Sequence, residues 1–174
     1  MAIKKILTEP NKILRSKSLR VEKVDEELQK LMDDMLETMY AAPGIGLAAI
    51  QIGIPKRVIV LDIAPKDGPR NPMYFINPEI IKKSETNSTY EEGCLSVPGQ
   101  FAEIDRPDKC QIKFLDYYGQ PKEIQAEGML ATCIQHEMDH LEGILFIDYL
   151  SKLKKTMIVK KLSKQKKELE RIVV

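Results

Sequence analysis

Residues 128–141 read GMLATCIQHEMDHL, and their apolar side chains recur at helical spacing. The helix predicted here contains the pattern His-Glu-x-x-His at His136, Glu137 and His140. Residues four apart lie on one helix face, one turn from each other, so both imidazoles can reach one metal ion while Glu137 stays beside it. The chain has only two histidines, so a chance match to this pattern is improbable. The stretch predicts a metal-binding helix at the centre of the fold.

The third metal ligand must come from elsewhere in the chain, because two histidines do not complete a site. Cys94 is the main candidate, since the preceding Gly93 permits close backbone approach. Cys133 is its rival, because it stands three residues before His136 and could complete a structural Cys2His2 site with Cys94. However, Cys133 and His140 are seven residues apart, which is about 10 Å along a helix axis. Both side chains would be strained if they bound the same ion. Cys94 is therefore the expected ligand, and Cys133 is expected to line a pocket.

The composition fits one globular domain in a reducing compartment. The chain has 174 residues, of which 43% are hydrophobic, enough to bury most apolar surface without disulfides. Its three cysteines are an odd number at irregular spacing, and no apolar run is long enough for a signal peptide or a membrane span. We expect a single domain over residues 1–174, a cytoplasmic location, no membrane contact and a monomer.

The other segments predict an α+β fold with short, mostly antiparallel strands around the metal-binding helix. Apolar residues at three- and four-residue spacing predict an N-terminal helix over 25–40. Segments rich in branched or aromatic residues predict strands over 57–63, 73–81, 110–115 and 123–126, the last two joined by a hairpin turn at 116–121. Gly143 is expected to end the central helix.

The C-terminal segment, residues 151–174, predicts a basic helix. It contains nine Lys or Arg and two Glu, although the whole chain has a net charge of only +1. An apolar stripe is expected to hold this helix against the domain through Leu153, Met157, Ile158 and Leu162.

Three segments together resemble the signature motifs of peptide deformylases in order and spacing. They are GIGLAAIQ at 44–51, EGCLS at 92–96 and HEMDH at 136–140. The glycine-rich segment alone is a poor signal, because turns, phosphate loops and tight packing all use such sequences. The resemblance extends over nearly the whole chain. One departure is Phe101, where bacterial relatives often carry Arg near the pocket mouth.

The resemblance implies hydrolytic removal of the formyl group from the N-terminal formyl-methionine of newly synthesised proteins, with release of formate. It implies that Glu137 shuttles the proton, beside a Cys-His-His metal site that keeps one position for water. It also implies an oxyanion hole formed by the side-chain amide of Gln51 and the backbone N–H of Leu95.

The resemblance also implies how the substrate and the metal are held. An extended peptide would pair with backbone groups of Ile45, Gly46 and Gly93, in the manner of an added strand. Met129 and Cys133 can form one wall of a methionine pocket, although packing in the core is an equal alternative for both. We expect one Fe²⁺ per chain, with Zn²⁺, Ni²⁺ or Co²⁺ able to substitute. Relatives with a basic C-terminal helix are thought to dock on the ribosome, whose RNA is a polyanion.

Two other functions fit part of the pattern. A zinc protease would share His-Glu-x-x-His, but the common ones take their third ligand, a His or Glu, from downstream of the helix. The sole glutamates after His140 are Glu142, Glu168 and Glu170. A non-enzymatic binder acting through the basic helix would have no need for the complete set of motif residues.

Overall fold

The computed structural model describes residues 2–173, and the side-chain surroundings of residues 2–171. Three helices are present there: α1 (Glu26–Ala41), α2 (Met129–Leu141) and α3 (Lys152–Val173). The strands are β1 (Gly46–Ala48), β2 (Val58–Leu61), β3 (Met73–Lys83), β4 (Asn87–Cys94), β5 (Val97–Pro107), β6 (Lys109–Leu115) and β7 (Pro121–Glu127). Short 3₁₀ turns lie at Lys12–Arg15, Ala49–Ile52 and Phe146–Tyr149.

Helix α1 begins where its capping residue predicts. The Asp25 carboxylate accepts a hydrogen bond from the Leu28 backbone N–H at 2.9 Å, which satisfies one of the unpaired donors of the first turn. The inward stripe of this helix is fully packed, with Met32, Met35 and Met39 inaccessible to solvent. The helix predicted over 25–40 is confirmed, shifted by one residue.

Five strands form an antiparallel sheet in the order β1-β2-β3-β6-β7. Strand β2 is buried on both faces, because its alternate side chains point to opposite sides. Ile59 and Leu61 pack in a cluster with α2, whereas Val58 and Val60 pack in a cluster with α1. The sheet therefore lies between α1 and α2, and the four predicted strands and the β6–β7 hairpin are confirmed.

Strands β4 and β5 pair as an antiparallel hairpin that forms a second, two-stranded sheet. Helix α3 rests beside it, with Leu162 buried and Ile158 partly buried in a cluster that includes Val97 of β5. The predicted contacts of Leu153 and Met157 are wrong, because their side chains are 71% and 62% exposed. No helix within residues 2–173 combines the length and the apolar character that crossing a bilayer requires.

Helix α2 stops at a turn that only glycine fits. Gly143 has φ 74°, and a Cβ there would lie 2.4 Å from the carbonyl oxygen of Arg15. This turn confirms Gly143 as the stop signal and directs the chain from α2 back beneath the β4–β5 hairpin.

Candidate active site

Helix α2 and the end of β4 bring three potential metal ligands together. Cys94 Sγ lies 3.4 Å from His140 Nε2, and ligand atoms of Cys94, His136 and His140 all lie within 4.8 Å of one another. A tetrahedral ion, with bonds of about 2.3 Å to sulfur and about 2.0 Å to nitrogen, holds S and N roughly 3.6 Å apart. The donor set therefore fits a metal ion. Cys133 does not belong to this group within residues 2–173.

A buried ion-pair network orients His136. Its Nδ1 donates to Glu92 Oε1 at 2.9 Å, which leaves Nε2 as the free ring nitrogen. Glu92 in turn accepts two hydrogen bonds from Arg106, at 2.7 and 3.0 Å. Burial alone would raise the pKa of Glu92, but the hydrogen bonds from His136 and Arg106 outweigh it and hold that pKa below its ordinary value. Glu92 is therefore ionised and fixes the imidazole.

The same arginine links the network to a second residue of α2. Arg106 donates to Asp139 Oδ2 at 2.8 Å, and the hydroxyl of Tyr149 donates to the same oxygen at 2.7 Å. Because Asp139 lies between His136 and His140 in the chain, the network contacts α2 at His136 and again next to His140.

Glu137 lies beside the ligand group and is buried. Its Oε1 is 3.9 Å from His136 Nε2, and its Oε2 is buried with no hydrogen-bond partner within residues 2–173. Burial raises the pKa of Glu137 to about 7. A Cβ on Gly46 would lie 2.8 Å from Oε1, so the glycine allows β1 to pass against the carboxylate. A carboxyl group with this pKa can both accept and release a proton near neutral pH.

Gln51 has an anchored side chain next to Cys94. Its Oε1 accepts from the Ala48 backbone N–H at 2.9 Å, and its Nε2 donates to Ser96 Oγ at 3.0 Å. The same nitrogen lies 3.6 Å from Cys94 Sγ. Leu95 follows Cys94 in the turn that joins β4 to β5. The amide donors of Gln51 and the turn residue Leu95 are therefore adjacent to the candidate metal site.

A cavity of about 600 Å³ opens onto these groups. Ile45 and Met129 are partly exposed in its lining, together with Gly46, Gly93 and Cys133. Burial raises the pKa of the Cys133 thiol to about 12, so this side chain is neutral and apolar. The Phe101 ring covers Gly93, because a Cβ on that glycine would lie 2.5 Å from Phe101 Cε1.

Four residues that support the site have no role predicted from the sequence. Glu92, Arg106 and Asp139 form the network around His136, and Ser96 accepts from Gln51. Glu92 and Ser96 each stand two residues from Cys94, and Asp139 is next to His140. Their proximity to the proposed ligands could have indicated that they support the site. It does not indicate which of the charged residues form ion pairs.

The family model for polypeptide deformylases matches residues 3–156. The peptide deformylase of Pelagibacter ubique (strain HTCC1062) is 64% identical over 174 residues, which is 100% of both chains. That of Phenylobacterium zucineum (strain HLK1) is 58% identical over 167 residues, covering 96% of this chain and 99% of the relative.

Solved structures agree with the sequence relatives. The crystal structure of the Ehrlichia chaffeensis peptide deformylase in complex with actinonin has a TM-score of 0.91 at 44% identity, covering 95% of this chain and 98% of that one. A Legionella pneumophila peptide deformylase has a TM-score of 0.89 at 46% identity, covering 98% and 99% of the two chains. The chain therefore belongs to the polypeptide deformylase family, the metal-dependent hydrolases that remove the formyl group from the N-terminus of newly made polypeptides.

Proposed function

We propose that Cys94, His136 and His140 hold the metal ion for this deformylation and that Glu137 moves the proton. The observation that carries the proposal is the approach of the three ligand atoms to within 4.8 Å of one another, beside a buried carboxylate that faces the cavity. A metal ion bound there supplies Lewis acidity and brings the pKa of water to about 7. Glu137 accepts the proton of the attacking water and delivers it to the amine nitrogen as the C–N bond breaks.

The developing negative charge on the formyl oxygen is met by the side-chain amide of Gln51 and the backbone N–H of Leu95. The anchoring of Gln51 to Ala48 and Ser96 supports this role, because a donor that is already oriented needs no reorganisation during the reaction. Ile45, Gly46 and Gly93 receive the extended peptide backbone, and Met129 and Cys133 line the methionine pocket. Their position in the cavity lining supports both assignments.

The metal in the cell is Fe²⁺ in this proposal, one ion per chain, with Zn²⁺, Ni²⁺ or Co²⁺ able to replace it. One soft thiolate and two borderline imidazoles form a ligand set that suits several of these ions. Metal analysis of protein purified without oxygen should give close to one iron per chain. Zinc as the main metal under those conditions would contradict the choice of iron.

The reaction is tested by formate release from formyl-Met-Ala-Ser. Anaerobically purified protein should release formate from this peptide, and should leave the matched acetyl-Met-Ala-Ser intact. Cleavage of internal peptide bonds in place of formate release would instead support the protease chemistry that shares the His-Glu-x-x-His pattern.

Replacing Gln51 by Leu should lower the turnover of metal-loaded enzyme by about 10² to 10³, the usual scale for one lost oxyanion donor. Gln51→Leu also leaves the buried Ala48 N–H without its acceptor, which costs about 1–3 kcal/mol of stability. Gln51→Glu is the matched variant, because it keeps an acceptor for Ala48 and removes the donors. Normal turnover per folded molecule in both variants would make Gln51 purely structural.

The enzyme is also proposed to be a cytoplasmic monomer that docks on the ribosome through residues 151–174. The exposed Lys160, Lys164, Lys166 and Lys167 of α3 support electrostatic binding to RNA. Sedimentation of the free enzyme should give the mass of one chain.

Truncation after Leu162 should weaken co-sedimentation with ribosomes at low salt while leaving hydrolysis of a short formyl peptide nearly unchanged. Leu162 is the buried contact of α3, so this truncation keeps the packing and removes exposed basic residues. Docking through this helix would be ruled out if the truncated protein pelleted with ribosomes as well as the full-length protein. It would also be ruled out if neither protein pelleted with ribosomes.

A further inference from the structure

A second groove adjoins the active-site cavity. It lies between β5 and α3, has a volume of about 640 Å³, and shares Gln100 and Phe101 with the lining of the cavity. Three other surface cavities, lined by residues within 20–138, share no residue with the active-site cavity. Among these grooves, the active-site cavity is therefore continuous only with the one that it meets at Phe101.

The helix side of this groove is one face of α3. Its residues are spaced i, i+3, i+4 and i+7, which places them in line along the helix: Lys154, Met157, Ile158 and Lys161. Within the described residues, neither Lys154 nor Lys161 forms an ion pair, although Lys155 of the same helix pairs with Asp148. Met157 is 62% exposed and adds unpaired apolar surface. This face combines apolar side chains with two free positive charges.

Among the described lining residues, the strand side of the groove carries no positive charge, unlike the helix side. Ala102 and Glu103 of β5 line it next to Phe101, whose ring is 65% exposed. Glu103 places one negative charge on the strand side, and Lys154 and Lys161 place two positive charges on the helix side. A chain crossing from Phe101 would meet an aromatic ring first and the two lysines afterwards.

The substrate is longer than the cavity. A volume of about 600 Å³ corresponds to a small-molecule site, whereas the substrate is the start of a polypeptide. With the formyl group held near Cys94, the following residues must leave over the cavity rim.

We propose that the groove between β5 and α3 receives the downstream part of the formylated polypeptide, beyond its third residue, and favours acidic side chains there through Lys154 and Lys161. This specificity rests on the proposed function, because it assumes that the formyl group is placed at the Cys-His-His site. The continuity of the two cavities across Phe101 and the unpaired lysines identify the occupant as an acidic stretch of the substrate itself.

The test compares kcat/KM for formyl-Met-Ala-Ser with kcat/KM for formyl-Met-Ala-Ser-Glu-Glu-Ala and for its Gln-Gln analogue, without ribosomes. In the wild-type enzyme the acidic hexapeptide should exceed the tripeptide by about 3- to 10-fold, the scale of two exposed ion pairs. The Gln-Gln analogue should gain less. The ratio of acidic hexapeptide to tripeptide should fall to about 1 in the double variant Lys154→Glu, Lys161→Glu.

The matched control is the double variant Lys160→Glu, Lys167→Glu. These two lysines have the same seven-residue spacing and the same change of charge, but they are exposed outside the groove. The control should keep the wild-type ratio. An equal loss of the ratio in both double variants would mean general electrostatic attraction, and would overturn the groove as the site.

Two further outcomes would also overturn the proposal. A wild-type ratio of 1 would mean that the downstream residues do not contact the groove. A ratio that falls as enzyme concentration rises would place a second copy of the chain in the groove. Absence of turnover with the tripeptide itself would contradict the proposed catalytic site rather than the groove, so the two failures are distinguishable.

Discussion

Replacing Glu137 by Gln should abolish nearly all turnover while leaving the metal bound, with kcat lower by about 10² to 10⁴. The substitution keeps the size of the side chain and removes the only group assigned to move the proton. It touches none of the three ligand residues, so metal content should not change. The measurement is formate release from formyl-Met-Ala-Ser together with metal analysis of the same preparation.

Glu127→Gln provides the control for this experiment. Glu127 is an exposed carboxylate at the end of β7, just before α2, so the same chemical change there should leave turnover intact. Activity of Glu137→Gln above about a tenth of wild type would remove Glu137 from proton transfer. A parallel loss of metal would instead indicate that Glu137 helps to hold the ion.

The parts of the fold that could be predicted from sequence have an apolar periodicity. Helix α1 and strands β2 and β3 bury apolar side chains against the main core, so their patterns are strong. The predicted strands were confirmed with ends differing by two residues or fewer. Strand β1 was not predicted, because its three residues are too few to carry a period.

Strands β4 and β5 were missed because the hairpin buries charge. Along β4 the buried residue is Glu92, and its carboxylate accepts two hydrogen bonds from the side chain of Arg106 on β5. Burying such a pair is tolerated only when both groups are fully hydrogen-bonded. An alternating apolar pattern is absent from this sequence, so the usual signal for a strand was missing.

The error in α3 has a related cause. An apolar stripe predicts one contact face, but the helix packs through Ile158, Val159 and Leu162, which leaves Leu153 and Met157 exposed. The apolar stripe of α3 is therefore larger than the part of the domain surface that the helix contacts. Spacing on one helix predicts which residues share a face, but the extent of the surface that meets them depends on the β4–β5 hairpin.

The candidate ligands were accessible to sequence reasoning because metal chemistry restricts both residue type and spacing. The residues that orient these ligands could not be predicted in the same way. Glu92 bonds to His136 and Arg106 bonds to Glu92, and both lie on strands that were not predicted. Which cysteine lies next to the histidines also depended on the fold. Cys94 meets His140 only because the β4–β5 turn approaches α2.

Cys94→Ser should weaken or abolish metal binding, with loss of turnover in proportion to the lost metal. A hydroxyl is a poor ligand beside a thiolate, and the remaining two imidazoles do not complete a site. Cys133→Ser is the matched control, because Cys133 lines the same cavity but lies outside the ligand group of residues 2–173. The control should retain its metal.

The two cysteine variants discriminate between the candidate ligands by metal content alone. Metal loss confined to Cys94→Ser would place the third ligand at the β4–β5 turn, where the sulfur lies 3.4 Å from His140 Nε2. Metal loss confined to Cys133→Ser would move the ligand onto α2 itself. That outcome requires α2 to deform, because Cys133 and His140 are two turns apart on a regular helix.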